Sequence, residues 1–347
     1  MLSDELLSYA KKLGFGELFF KIDEINQLCA IVAIHSTRLG PALGGCRFIE
    51  YTSINLAIHD ALRLAQGMSY KAALANLPLG GGKTVLMRPK SISDRTAYFR
   101  SLGRFVNEFR GRYIIAMDSG VVIEDMDSIA LETPYVVTTS KHKGNPAPYT
   151  ALSVLYGIEA AVKFKLHRNN LEGVHIAIQG VGHVGFALAN ALQKRGARLT
   201  VCDNNTQLIE RYAEDLQATL VDPKDIYAVQ CDVFSPCALG GILNDDSIAK
   251  LNTAIVAGAA NNQLAEPRHA DLLHKKNILY APDYVINSGG LIYAYAEYQN
   301  RLNREHVAQQ IQTIYSTLLR IFKRAEEENK LPNEVADSLA ESRLNQM

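Results

Sequence analysis

The chain reads as a two-domain α/β protein whose second domain is a parallel sheet covered by helices on both faces. Three observations predict this. Its 347 residues fill about two domains, at roughly 100–200 residues each. The stretch Lys141–Pro148 (Lys-His-Lys-Gly-Asn-Pro-Ala-Pro) is dense in turn formers and charge, and reads as a linker. Beyond it, short apolar runs alternate strictly with helical ones, the pattern that builds a parallel sheet.

Before the linker, strands and helices are mixed. Leu28–His35 is an apolar, β-branched run and reads as a strand. From Ile54 to Ala75, the apolar residues Ile58, Ala61, Leu62, Ala65, Met68 and Ala72 keep helical spacing. That helix must stop before Pro78, which disfavours helical geometry at Leu77. Gly80-Gly81-Gly82 is expected to lie in a sharp turn, followed by Lys83 and a short strand, Thr84–Met87. Tyr113–Ala116 reads as another strand, with Asp118 at its exit.

After the linker, Thr150–Phe164 reads as a helix, Val174–Gln179 as a strand, Val184–Lys194 as a helix ended by Gly196, and Leu199–Cys202 as a strand. Further strands are expected at Asp232–Phe234, Ala254–Ala257 and Ile278–Ala281. Past Asn303, Val307, Ile311, Ile314, Leu318, Ile321 and Phe322 line one face of a long helix, expected to pack back across the domain junction. The expected division is residues 1–140, residues 141–325 and a C-terminal helix over 326–347, with a cleft between the two domains.

Composition narrows the function. Lys+Arg and Asp+Glu both count 36, so the net charge is zero, which argues against a polyanion binder while leaving a local basic patch open. No apolar run approaches the ~18 residues of a spanning helix. The first residues, Met1-Leu-Ser-Asp-Glu, carry acid where a secretory leader carries base. Five cysteines without a C-x-x-C pair indicate neither a disulfide framework nor a zinc knuckle, and the nine histidines form no metal pattern. A cytoplasmic protein without metal, membrane or nucleic-acid partner is expected.

Gly180-Val181-Gly182-His183-Val184-Gly185 fits G-x-G-x-x-G between a predicted strand and a predicted helix. Gly180 permits the turn, Gly182 lets a pyrophosphate approach the backbone, and Gly185 lets helix pack on strand. The helix N-terminus then offers N–H groups to phosphate. Val181, His183, Val184 and Phe186 complete this cofactor-binding stretch, His183 without a chemical duty. Asp203 ends the next strand, 18 residues after Gly185, where an acid binds ribose hydroxyls and repels a 2′-phosphate. The expectation is a Rossmann-type domain that binds NAD rather than NADP.

Gly82-Lys83-Thr84 is not a phosphate-binding P-loop, because Leu77 occupies the place of its first glycine. Lys71 and Lys83 instead bracket the expected turn. Two ammonium groups held close and dry would lower one pKa, producing a general base beside a carboxylate clamp. Solvated surface lysines are the plain alternative. Asp118 reads equally as a turn residue or helix cap. Glu124, Asp125 and Asp127 read as the solvated first turn of a helix.

Several strings carry a resemblance. Leu39-Gly-Pro-Ala-Leu-Gly-Gly-Cys-Arg47, Gly67-Met-Ser-Tyr-Lys-Ala-Ala73, Pro78-Leu-Gly-Gly-Gly-Lys-Thr84 and Gly144-Asn-Pro-Ala-Pro148 precede the glycine motif. Ser235-Pro-Cys-Ala-Leu239, Ala257-Gly-Ala-Ala-Asn-Asn-Gln263 and Ala281-Pro-Asp-Tyr-Val-Ile-Asn-Ser-Gly-Gly290 follow it. Together they resemble the leucine/phenylalanine/valine branch of the amino-acid dehydrogenase family, in order from about residue 28 to 295. The resemblance implies Lys83 as catalytic base and Asp118 as proton shuttle at the amino group. It implies Lys71 and Asn262 as carboxylate ligands, and Thr150 and Asn287 near the nicotinamide. Leu43, Gly44, Ala116, Leu291 and Ala294 are implied as the substrate pocket. Met117, Ser119-Gly120-Val121 and Cys46 depart from the family's pattern.

The implied activity is NAD-dependent, reversible oxidative deamination of an apolar L-amino acid to its 2-oxo acid and ammonia, in a homo-oligomer whose domains close on the substrate. The Ala116 methyl disfavours an aromatic ring, so leucine, valine or isoleucine is the expected substrate. The alternatives are a phenylalanine-type enzyme, a glutamate-using relative and a catalytically silent NAD-binding sensor.

Overall fold

The computed structural model describes residues 4–15, 17–141 and 144–346; Met1–Ser3 and, in the expected linker, His142 and Lys143 lie outside them. The chain divides into two compact units. One comprises Met1–Gly144, Ala294–Arg301 and Ala340–Met347; the other comprises Asn145–Tyr293 and Leu302–Leu339.

The first unit contains α1 (Asp4–Lys12), β1 (Glu17–Asp23), β2 (Leu28–Ser36), β3 (Ala42–Ile49), α2 (Ile54–Leu74), β4 (Gly80–Met87), α3 (Arg95–Glu108), β5 (Tyr113–Met117) and α4 (Ile123–Ala130). Its strands form one sheet in the order β1-β2-β4-β3-β5. β2 runs antiparallel to β1 and β4, while β3 runs parallel to β4 and β5. Strand alternation sends successive side chains to opposite faces. Ile31, Ala33 and Val85 pack with Ile58, Ala61, Leu62 and Ala65 of α2. Cys46, Phe48, Leu86, Tyr113 and Ile115 pack on the other face with Tyr98, Phe99 and Leu102 of α3 and Met126 and Ile129 of α4. Side-chain oxygens start two of these helices: Ser53 accepts from the Leu56 N–H, and Asp94 from the Ala97 N–H.

The glycine run is strand, not turn. Gly80, Gly81 and Gly82 open β4, and the chain reverses just before them, where Asn76 takes a φ of 58°. The reason is proximity. A Cβ on Gly81 would stand 2.1 Å from the Ser69 nitrogen and 2.6 Å from the Ala65 carbonyl oxygen. Glycine here lets α2 settle directly on β4.

The remaining elements are α5 (Ala147–Lys165), β6 (His175–Gln179), α6 (His183–Gln193), β7 (Arg198–Cys202), α7 (Thr206–Leu216), β8 (Thr219–Leu220), β9 (Val233–Pro236) and α8 (Asp245–Lys250). They continue with β10 (Ile255–Val256), α9 (His269–Lys275), β11 (Leu279–Tyr280), α10 (Asp283–Ile286), α11 (Gly289–Tyr298), α12 (Arg304–Glu328) and α13 (Pro332–Asn345). The second unit's sheet runs β11-β10-β9-β6-β7-β8, every neighbouring pair parallel. Strand order turns back between β6 and β9, the switch point at which doubly wound sheets receive ligands beyond their carboxyl ends.

The stripe Val307, Ile311, Ile314, Leu318, Ile321 and Phe322 is buried on α12. It meets α5 of the same unit, where the Phe164 and Phe322 rings lie 5.5 Å apart. α12 ends at Asn329 in the left-handed region, φ 51°, so the chain's last stretch is two helices. Among the described residues no helix is long and apolar enough to cross a membrane, and no group of three or more His, Cys, Asp or Glu is placed to hold a metal ion.

Candidate active site

In the first unit the site is built at the ends of three parallel-paired strands. Gly45 pairs with Ala116, and Cys46 with Thr84 and Met117, so Gly45, Lys83 and Asp118 come to one place. Leu43, Gly45 and Arg47 alternate onto the sheet face that α2 covers, together with Lys83 and Val85. Lys83 is only 5% exposed. Its Nζ donates a short hydrogen bond to Asp118 Oδ2, and Ser119 Oγ donates to Oδ1 at 3.3 Å. Gly45 is the wall of this pair: a Cβ there would stand 2.8 Å from Asp118 Cβ and 3.1 Å from Lys83 Nζ.

Burial alone would raise the Asp118 pKa. The Lys83 charge and hydrogen bond, followed by the Arg47 charge, outweigh it and hold the carboxyl below its usual range. Lys83 therefore has a carboxylate at its head. Lys71 is half-buried in the last turn of α2. Leu43 is buried, Gly44 accepts a hydrogen bond from Tyr113 Oη at 3.1 Å, and Ala116 is half-buried on β5.

One residue expected in solvent is not there. Asp125 is 3% exposed. It accepts two hydrogen bonds from the Arg95 guanidinium at 2.7 Å and one from the Val122 N–H at 2.9 Å, closing the start of α4. An acid in a first helical turn satisfies orphan N–H groups and can be buried when a guanidinium pairs it.

Sequence reasoning passed over Arg47, Asp60 and Tyr51. Arg47 Nη1 donates to Asp60 at 2.7 Å, its Nε lies 3.6 Å from Asp118 Oδ2, and Tyr51 Oη donates to Asp60 at 2.7 Å. The available signal was alternation in Gly45-Cys46-Arg47, which puts Gly45 and Arg47 on one face.

In the second unit Gly180 follows β6 with φ +92°, and Gly182 caps α6. A Cβ on Gly185 would stand 2.0 Å from the Gly180 carbonyl oxygen, whereas one on Gly182 would meet nothing within 4 Å. Asp203 accepts from the Val181 N–H at 2.8 Å and the Asn205 N–H at 2.9 Å, fastening the loop to the end of β7. His183 and Val184 start α6, and the Phe186 ring stacks on Tyr212 with centroids 3.8 Å apart.

Asn287 is 5% exposed. Its Nδ2 donates to the Ala259 carbonyl at 3.0 Å and to Asn261 Oδ1 at 2.8 Å, while its Oδ1 is buried without a donor. Thr150 abuts Gly290: a Cβ on that glycine would stand 2.6 Å from Thr150 Oγ1. Asn262 is half-buried with φ 51°. Leu291 and Ala294 lie three residues apart on α11, hence on one side of it.

The space over Gly182 and the unmet Asn287 acceptor fit a dinucleotide with a carboxamide to donate. A doubly wound sheet with that loop at its switch point marks the dinucleotide-binding class. Residues 18–135 match the family model for the Glu/Leu/Phe/Val dehydrogenase dimerisation domain, and residues 197–343 that for glutamate/leucine/phenylalanine/valine dehydrogenase. The leucine dehydrogenase of Geobacillus stearothermophilus is 45% identical over 346 residues, 99% of this chain and 94% of that one. The phenylalanine dehydrogenase of Lysinibacillus sphaericus is 40% identical over 92% of this chain and 88% of its own. The crystal structure of L-tryptophan dehydrogenase from Nostoc punctiforme superposes with a TM-score of 0.88 at 41% identity, covering 98% of both chains. The chain belongs to the Glu/Leu/Phe/Val dehydrogenase family: it is an amino-acid dehydrogenase acting on CH–NH2 donors, and the family implies a nicotinamide cofactor.

Proposed function

We propose that the protein catalyses the NAD-dependent, reversible oxidative deamination of an apolar L-amino acid, leucine, valine or isoleucine preferred, to its 2-oxo acid and ammonia. The observation that carries this reading is the Lys83–Asp118 pair, its lysine buried, held against Gly45 on the face that also presents Leu43.

Lys71 and Asn262 hold the substrate carboxylate. A nicotinamide cofactor, NAD on this reading, would supply the hydride acceptor for Cα, turning the amine into an imine. Water then adds to the resulting imine carbon, and Lys83, having released its own proton, removes one from that water. Asp118 carries protons to and from the nitrogen, the C–N bond breaks, and ammonia leaves. Burial strengthens these charge interactions. Gly180, Gly182, Gly185 and the start of α6 hold the pyrophosphate, Thr150 and Asn287 the nicotinamide end. The Asp203 carboxylate, fixed by two N–H donors, binds ribose hydroxyls and disfavours a 2′-phosphate.

Leu43, Ala116, Leu291 and Ala294 form the side-chain pocket on this reading. A methylene-sized misfit in such a pocket is worth about 1–3 kcal/mol, so preference is graded among aliphatic substrates. The small Ala294 side chain, beside Leu291, favours a second reading with an aromatic substrate. The dimerisation-domain match supports a homo-oligomer, and five free cysteines support a reducing, cytoplasmic setting.

The test is NADH absorbance with a panel of L-amino acids at alkaline pH. The expected order of kcat/KM places leucine, valine and isoleucine first, methionine and phenylalanine lower, and glutamate essentially unused. Phenylalanine or tryptophan above every aliphatic substrate would overturn the substrate assignment. No turnover with any amino acid would overturn the function.

A further inference from the structure

We propose that Arg47 is a positioning residue for the deamination chemistry, a guanidinium anchored on Asp60 that steers the Asp118 carboxylate between Lys83 and the substrate nitrogen. The inference rests on the reading of Asp118 given above.

Charges alternate along a line in the first unit. Lys83 bonds Asp118 Oδ2, Arg47 Nε stands 3.6 Å from the same oxygen, Arg47 Nη1 bonds Asp60 at 2.7 Å, and Arg63 bonds Asp60 at 3.0 Å. Tyr51 Oη also donates to Asp60. The Asp60 end is the fixed one. Burial works against its ionisation, yet Tyr51, Arg47 and Arg63 together hold its carboxyl below the usual range.

The Asp118 end is not closed. Arg47 Nε is buried and has no hydrogen-bond acceptor, standing beyond the ~3.2 Å of a normal N–H···O bond. Its side chain is 19% exposed against 25% for Asp118. When Lys83 turns toward water, Asp118 Oδ2 loses its short donor, and the Arg47 N–H is next in line. The guanidinium thus keeps the carboxylate in place through the proton transfers while Lys83 is engaged elsewhere.

The other titratable groups around Asp118 are Cys46 on β3 and Tyr113 on its own strand, both buried and neutral, their thiol and phenol pushed up by burial. From α2, Asp60 reaches this cluster through Arg47. A guanidinium is needed because it can hold Asp60 with one nitrogen and face Asp118 with another, which an ammonium cannot do as well.

A purely structural Arg47, tying β3 to α2, would change stability and leave the proton-transfer step alone. Arg47→Gln is therefore expected to lower kcat by about tenfold or more, with the KM values for leucine and NAD changed by less than about threefold. The solvent deuterium isotope effect on kcat should rise. Arg47→Lys should recover about threefold, and Asp60→Asn should show the same pattern more weakly. A folded Arg47→Gln enzyme with wild-type kcat and isotope effect, or with a change in KM alone, would overturn the inference. If Arg47→Gln does not fold, wild-type kcat and isotope effect in both Arg47→Lys and Asp60→Asn would overturn it as well. Asp118→Asn separates the levels: if it turns over normally, the underlying reading of Asp118 falls; if it is inactive while Arg47→Gln is normal, only the role of Arg47 falls.

Discussion

Adding one methyl group at Gly45 tests whether the site depends on the close seating of Lys83 against Asp118. The new Cβ would lie 2.8 Å from Asp118 Cβ and 3.1 Å from Lys83 Nζ. Carbon atoms rest at about 3.5–4.0 Å, so Asp118 must retreat by about 0.7–1.2 Å. Misplacing a reacting group by about 1 Å costs about 100-fold in rate, or about 2.7 kcal/mol in the barrier. The stability cost should be smaller. Overpacking in a core costs about 1–3 kcal/mol, and Asp118 follows β5 with its side chain 25% exposed, so it can swing outward. Steady-state kinetics of Gly45→Ala with leucine and NAD, beside thermal unfolding, makes the comparison. The expected result is kcat down by about two orders of magnitude with a Tm close to wild type. A folded Gly45→Ala enzyme with kcat within about threefold of wild type would refute the reasoning.

Three further outcomes follow from the same geometry. Lys83→Ala should abolish turnover yet leave NAD and amino-acid binding within about tenfold, about 1.4 kcal/mol, while Lys71→Ala should chiefly raise KM; residual kcat above a few per cent in Lys83→Ala would remove Lys83 as the base. Asp203→Ser should weaken NAD, relax the repulsion of NADP and release the Val181 N–H, and a wild-type enzyme already preferring NADP would contradict this. Asp23 accepts from Ser101 Oγ at 2.5 Å and from Asn26, and these bonds pull its pKa from 3.8 to about 2. A depressed carboxyl stabilises the fold above its unfolded value and loses that contribution as pH falls toward the folded one. The stability gap between wild type and Ser101→Ala in urea should therefore be wider at pH 6 than near pH 2, and a gap constant with pH would sink the assignment.

Periodicity was enough to determine much of this protein. The spacing from Ile58 to Ala72 marks α2, because a helix repeating every 3.6 residues must keep one side apolar to be buried. The alternation after the linker marks the parallel sheet, and Gly180 to Gly185 runs from the end of β6 into the first turn of α6 as its strand–helix context required. These are local relations, settled within a few turns of chain. What tertiary structure alone decided involves residues distant in sequence. Gly80–Gly82 look like a turn by composition and are strand because α2 presses on them. Asp125 looks solvated and is buried because Arg95, 30 residues away, supplies a guanidinium. β3 inserts between β4 and β5. Lys83, Asp118 and Arg47 meet through that insertion alone. Strand order depends on which apolar faces can be buried together across the whole unit, and no short window of sequence contains that comparison.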